Sequence, residues 1–234
     1  SVKHYTKDAQ NELYQDFASY IIKANYLKGG VYPACVGPER NVIAASVAAV
    51  AKLEKTTIVA HGSTGAGNDQ VRFDLALRAL IPGGVILAPI RDENLTREQE
   101  VEFLNKHGFK TDAKKSRYSI NVGLLGTTIA GAETINTEQE LPDGVWPTVK
   151  SVNAKESAHF TVKFLKGLPI SLNGKKMAGL NIIKKLNQIG AAHGFGKDYH
   201  IGTTIIGIKG RIAFEAPALK ILIKAHVELE KIIL

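Results

Sequence analysis

The sequence predicts an α/β protein in two parts, a parallel α/β part over residues 1–111 and a mixed α+β part over 112–234. Three observations predict it. A short β-branched run, "TTIVA" at 56–60, is followed by a glycine loop, a helical pattern and a second apolar run, "GVILAPI", within roughly 35 residues, which is the layout of a parallel βαβ unit. From about Thr111 the periodicity gives way to Gly, Thr, Asn and Pro. The chain has 234 residues, 44% hydrophobic and 22% charged, enough to bury one large core or two modest ones.

In chain order, Leu13, Phe17, Tyr20, Ile21, Ala24 and Leu27 recur at three and four, an amphipathic helix expected to stop at Gly29-Gly30. A second helix runs from Pro38, suited to a first helical position, to about Leu53, with Val42, Ile43, Val47 and Val50 as its apolar face. The "TTIVA" strand, the loop, a helix from Asn68 to Leu80 and the "GVILAPI" strand complete the unit. The loop thereby falls at the carboxyl end of a strand, where open α/β sheets bind ligands. Thr96-Arg97-Glu98-Gln99 is a capping box opening a helix that stops at Gly108. The segment to Val149 reads as ordered loops with short strands. "HFTVKF" alternates as a strand with "LPISLNG" as its hairpin partner. "LNIIKKLNQIGAAHG" is a helix, "TTIIGIKG" a strand, and Ala216 to Leu234 a closing amphipathic helix.

Composition excludes several classes. A single cysteine, Cys35, rules out an intrachain disulfide and a multi-cysteine zinc site. No signal-like N-terminus and no apolar run of the roughly 20 residues a span requires point to a soluble, cytoplasmic chain without a membrane partner. The net charge of +8 is spread along the chain without aromatic interleaving, which fits anionic small substrates and not nucleic acid. Cys35 reads as a buried thiol, Trp146 as a packing anchor and His61 as a satisfied structural histidine.

The loop "HGSTGAGNDQVRFD" carries the chemistry. Gly62, Gly65 and Gly67 let amides face an anion at a helix N-terminus. It departs from the phosphate-loop pattern because Asn68-Asp69 stands where Lys-Ser or Lys-Thr belongs, and from the dinucleotide fingerprint because position 70 is Gln. Asp69 alone is explained by the helix dipole. Asn68 and Arg72 lie four apart, however, and Asp69 and Arg72 three apart, so amide, carboxylate and guanidinium share one patch. Such a patch reads a zwitterion: amides and Thr64 take a carboxylate while Asp69 takes an ammonium.

"AHGSTGAGNDQVRFD" resembles the signature of the argininosuccinate synthase family. "VYPACVGPER", "LTREQEVEFLNKHG", "RYSINVGLLGTT", "IIGIKGRIAFEAP" and "AHVELEK" resemble further motifs of that family, in its order. The resemblance implies a Rossmann-like, HUP-type (adenine nucleotide alpha hydrolase-like) nucleotide-binding domain over 1–111 and an α+β synthetase, citrulline-binding domain over 112–234. It implies an ATP-dependent carbon-nitrogen ligase of arginine biosynthesis and urea cycle-type chemistry. The ureido oxygen of citrulline attacks the α-phosphate of ATP, and the aspartate amine then displaces AMP from citrullyl-AMP. Carried over residue by residue, Thr64, Asn68 and Asp69 match aspartate-binding positions and Gly62 a backbone contact to ATP. Tyr32, Asn68, Arg72, Ser119 and Thr128 match citrulline-binding positions, and Asp69 and Arg72 are the catalytic pair. Mg2+ accompanies the ATP, with no ligands assigned, and the family assembles as a homotetramer.

Two departures bear on function. No "SGGxDTS" pyrophosphate loop occurs, and the family's long C-terminal oligomerisation helix is lacking, so the chain reads as truncated at both ends. The citrulline pocket is also altered: Val36 replaces a Thr, Phe214 a Tyr, and Gly202 the Glu that pairs with the citrulline α-ammonium. Ala66 replaces the usual Lys of the signature, a form that resembles a divergent bacterial subgroup. A lost acid leaves a buried ammonium unpaired, unless the substrate is N-acylated, as in N-succinyl- or N-acetylcitrulline. The competing expectation is an inactive piece acting as an amino-acid-binding or interaction module.

Overall fold

The computed structural model describes residues 3–65, 67–110, 117–149 and 157–233. The domain boundary expected at Thr111 and the substituted Ala66 lie outside the described residues. The chain forms two compact units, each discontinuous in sequence: Ser1–Ala9, Glu39–Ser119 and Thr203–Lys209 in the first, and Gln10–Pro38, Ile120–Gly202 and Gly210–Leu234 in the second.

The first unit contains the predicted βαβ arrangement. Strand β1 (Ile58–Ala60) runs parallel to β2 (Val85–Leu87), with Ile58 opposite Val85, and α4 (Asp69–Leu80) connects them. Helix α3 (Gly37–Leu53) packs on this layer. Its core-facing residues are Ala44, Val47 and Ala51, against Val59 of β1 and Leu77 and Phe73 of α4. Of the apolar face read from the sequence, Val42 is buried and Val47 packs on this core, and one residue is corrected. Ile43, expected in the core, is 42% exposed, and it lines an apolar cavity of about 500 Å³ together with Val42, Val47, Val50, Tyr5 and Ile58. Hydrophobicity identified the helix, and Ala44 and Ala51 share its core side with Val47. Beyond β2 come the short α5 (Pro89–Asp92) and α6 (Arg97–Lys106). The predicted capping box is present: Gln99 N donates to Thr96 Oγ1 at 3.3 Å, and Thr96 N donates to Gln99 Oε1 at 2.8 Å. Gly108, at φ +84°, ends α6.

The second unit opens with α1 (Gln10–Leu13), a π-helical turn (Tyr14–Ala18) and α2 (Ser19–Lys23). The helix stops before the expected Gly29-Gly30. Asn25 takes the left-handed conformation, φ 49°, and the Tyr26 amide donates to the Ile21 carbonyl at 3.0 Å. Asparagine is the residue that replaces glycine most readily at this position. The amide of Asn25 donates to Glu230 at 2.6 Å, and its carbonyl accepts from His226 at 2.8 Å, which ties the helix end to the closing helix α8 (Pro217–Ile233).

A four-stranded sheet has the order β3 (Ser119–Val122), β4 (Thr127–Ala130), β9 (Lys209–Glu215), β8 (Lys197–Thr203). The expected hairpin is present as β5 (Val162–Leu165) antiparallel to β6 (Leu168–Leu172), which pairs in turn with β7 (Lys175–Lys176). Both connections are Xaa-Gly pairs with positive φ, Lys166-Gly167 and Asn173-Gly174, as two-residue hairpin turns require. Helix α7 (Gly179–Ala192) meets α8 closely: a Cβ on Gly190 would lie 2.6 Å from Pro217 Cβ.

The strand expected over 203–210 is a second correction. Residues 204–208 link β8 to β9 as a turn, with Thr204 N donating to Ile208 O and Gly207, at φ +86°, donating to Thr204 O. Its β-branched content reads as a strand, yet Ile205 and Ile208 are each 56% exposed. The glycine reverses the chain where propensity alone would extend it.

Candidate functional site

In the first unit the loop from His61 to Asn68 joins β1 to the N-terminus of α4. Neither Gly62 nor Gly65 has a left-handed φ, and a Cβ on Gly62 would meet no protein atom within 4 Å. The fold itself does not require glycine at 62.

At the loop mouth Asp69 is held between two arginines. Arg40 Nε donates to Asp69 Oδ2 at 2.7 Å, and Arg72 Nη1 donates to Asp69 Oδ1 at 2.8 Å. The Arg72 contact is the i, i+3 pair read from the sequence. Arg40, from α3, was not foreseen. Each carboxylate oxygen keeps a second lone-pair direction, so the arrangement pairs acceptor capacity with two guanidinium forks. Asn68 does not cap its own helix with its side chain. Its Oδ1 accepts from Ile205 N at 2.7 Å, which commits the carbonyl and presents the two Nδ2 donors. Thr64 is exposed on the same loop.

A second network fixes the loop from beneath. Ser63 N donates to His61 Nδ1 at 3.2 Å, so the ring proton sits on Nε2 and is donated to Asp74 Oδ1 at 3.1 Å. Arg91 Nη1 donates to Asp74 Oδ2 at 3.0 Å and to Gln70 Oε1 at 3.4 Å, and Gln70 Nε2 donates to Gly65 O at 3.0 Å. Burial works against the Asp74 charge, but the bonds from His61 and Arg91 outweigh it and hold the carboxyl below the ordinary aspartate range. His61 is the satisfied structural histidine the sequence suggested, and Gln70, which breaks the dinucleotide fingerprint, braces the loop instead.

In the second unit Tyr32 stacks on His200 (centroids 5.1 Å, 17°) and meets Phe214 edge-on at 5.1 Å. Phe214 is fully buried on β9 opposite Thr128 on β4. The next residue, Glu215, is 1% exposed, and it accepts from the Thr148 amide, the Thr148 hydroxyl (2.6 Å) and the Val149 amide (2.8 Å). Trp146 is buried against Tyr199, as an anchor should be, and Cys35 is a buried thiol. Ser119, the last residue of the first unit's central segment, is exposed at the start of β3.

Thr64, Asn68, Asp69 and Arg72 thus gather with Gly62 at one loop mouth, and Tyr32 and Thr128 gather around Phe214 in the other unit. Sequence patterns across relatives decide what this chain is. A model of the argininosuccinate synthase C-terminal domain matches residues 118–234, and one of the argininosuccinate synthase N-terminal HUP domain matches residues 1–110.

The chain belongs to the argininosuccinate synthase family.

It is 41% identical over 231 residues to an argininosuccinate synthase of Sulfurisphaera tokodaii (99% of this chain, 59% of the relative) and 42% identical over 236 residues to one of Pyrococcus furiosus (100% and 57%). An argininosuccinate synthase of Methanocaldococcus jannaschii is 38% identical over 234 residues (100% and 59%). The chain spans about three fifths of the length of these relatives. Its HUP domain with a parallel sheet, followed by the family's C-terminal domain, is the predicted fold class.

Two residues of this family member were missed from sequence. Arg40 lies 29 positions from Asp69, beyond any helical spacing rule, though it sits in the quoted "GPER". His200 carried one signal, a histidine two positions before the substituted Gly202 and hence on the same strand face.

Proposed function

We propose that this chain carries the aspartate and citrulline subsites of an argininosuccinate synthase-type ligase, which joins aspartate to citrulline through citrullyl-AMP at the expense of ATP. The observation that carries the reading is the Arg40-Asp69-Arg72 clamp at the glycine loop. A carboxylate between two guanidiniums at a helix N-terminus offers complementary charge to both ends of a free amino acid. Asp69 accepts from the ammonium of aspartate and keeps its amine beside the reacting carbon. Asn68 Nδ2, Thr64 and the loop amides donate to the carboxylates. Gly62, open to close approach, admits the nucleotide. Arg72 neutralises charge on the activated ureido oxygen, and Tyr32, Ser119 and Thr128 orient the citrulline.

In this chemistry the ureido oxygen forms a bond to the α-phosphorus as pyrophosphate leaves, and the aspartate amine then bonds the ureido carbon as AMP leaves. The protein's work is positioning and charge neutralisation. Mg2+ would accompany the nucleotide's phosphates. Among the described residues, no helix is long and apolar enough to cross a membrane. A homotetramer is the assembly the family reading carries.

The experiment is ATP–pyrophosphate exchange with citrulline and N-acylcitrulline, alongside calorimetry with aspartate. Exchange together with aspartate binding supports the ligase. Aspartate binding without exchange supports the second reading, a binding module, which the intact clamp favours over a pure interaction role. Absence of both ends the proposal.

A further inference from the structure

Asn68 opens α4 without capping it. A capping asparagine has an extended backbone and turns its side-chain oxygen onto the second or third amide of its helix. Asn68 is helical instead, at φ −74° and ψ −23°, its side chain makes no cap bond, and its backbone carbonyl accepts from Arg72 N at 3.2 Å. The side-chain oxygen faces the Ile205 amide at 2.7 Å. Ile205 belongs to the segment Thr203–Lys209, which lies in the same compact unit as α4.

This contact fixes which way the side-chain amide points. An asparagine can exchange the places of its oxygen and nitrogen by rotation, but a backbone N–H is met only by an acceptor. While the Ile205 amide stays in place, Oδ1 faces it and Nδ2 faces away, its two donors uncommitted to the turn.

The turn is held by its own backbone. Thr204 N donates to Ile208 O at 2.8 Å, Ile208 N to Thr204 Oγ1 at 3.0 Å, and Gly207 N to Thr204 O at 3.0 Å. Gly207 sits at φ +86°, a region that glycine occupies without strain. Ile205, Ile206 and Ile208 are 56%, 43% and 56% exposed, so burial of apolar surface is not what sets its shape. Four hydrogen bonds account for it, three within the turn and one to Asn68.

We infer that the 204–208 turn is a positioning element for the aspartate subsite: the Ile205 amide orients Asn68 so that Nδ2 donates to a ligand carboxylate, and Gly207 sets the turn that carries this amide. The inference rests on the ligase reading above and assigns to that subsite a positioning group remote in sequence from the glycine loop.

Two measurements test it. Without ligand, hydrogen exchange at the Ile205 amide is at least about tenfold slower in the unsubstituted chain than in Asn68→Ala. Equal exchange in the two overturns the inference. With ligand, calorimetry follows aspartate. Ile205→Pro removes the donor. Gly207→Val strains the turn through its backbone alone, since a Cβ at 207 would meet no atom within 4 Å. Each weakens aspartate about fivefold to tenfold, the range of one oriented hydrogen bond. In an Asn68→Ala background the same substitutions change aspartate affinity by less than about twofold, because the group they act through is gone. A turn with a purely structural role weakens aspartate equally in both backgrounds, and that result overturns the inference. Ile206→Ser alters an exposed side chain of the turn and keeps aspartate affinity within about twofold. A loss matching that of Ile205→Pro overturns the inference too, because apolar cover and not the amide would then be acting. Aspartate bound by the unsubstituted chain but indifferent to Ile205→Pro and Gly207→Val ends this inference and leaves the ligase reading standing, whereas aspartate not bound at all ends both.

Discussion

Around Asp69 every functional side chain is charged or strongly polar, and the charges answer one another within 3 Å: Arg40, Arg72 and the carboxylate between them. Around Tyr32 the side chains are rings, and His200 Nε2 has no hydrogen-bond partner among the described residues. The first region holds its geometry with ion pairs that already satisfy one another and still have lone pairs and donors to spare. The second holds its geometry by packing. The contrast is between a region held by complementary charge and one held by packed rings.

The comparison is most easily broken at Glu215, the buried acid one residue beyond Phe214. Glu215→Ala strands the Thr148 and Val149 donors in the interior, and urea unfolding should show a loss of about 3–5 kcal/mol. A loss under about 1 kcal/mol would mean that the corner is not built on this carboxylate. Next in size is Asp69→Asn, which keeps the shape of the clamp and removes its negative charge. Aspartate affinity should fall by about 30-fold or more, and wild-type affinity in a titration would deny that the clamp reads the ammonium.

The support beneath the loop gives a smaller, pH-dependent effect. The Asp74 carboxyl is held below its ordinary value of 3.8, so its contribution is complete above that pH and is lost as pH falls through the lower, folded value. Asp74→Asn should therefore melt earlier than the unsubstituted protein at pH 7, by the equivalent of about 1–2 kcal/mol for a charge-assisted bond. The gap should close as the pH is taken below 3.8, and a gap independent of pH would count against the network. The smallest effect belongs to the exposed Glu228. Hydrogen bonds from Lys224, then Lys231, lower its carboxyl to about 2, but such surface pairs are screened. Glu228→Gln should leave the melting temperature where it is. The titration midpoint of Glu228, followed by NMR, should climb as salt is added, and a midpoint indifferent to salt would contradict this reading.

Much of this was legible before folding because it is local. The loop between "TTIVA" and α4, the Asp69–Arg72 spacing, the Thr96–Gln99 capping box and the "HFTVKF"–"LPISLNG" hairpin each depend on neighbours a few residues apart, where helix and strand periodicities fix which side chains meet. Propensity misled where one residue overruled its neighbours. Asn25 ended a helix that the apolar pattern continued, and Gly207 turned a run of isoleucines that read as a strand.

The chain by its sequence alone therefore determined the αβ layers, the glycine loop at a strand end, its polar mouth and the family. Tertiary structure decided which distant groups complete each site. It brought Arg40 to Asp69 across 29 positions and the Ile205 amide to Asn68 across 137, and it laid His200 on Tyr32 against Gly202. The physical reason is that backbone periodicity governs contacts within a turn or a hairpin. Contacts between remote segments follow from how buried surfaces pack, and no spacing rule encodes that packing.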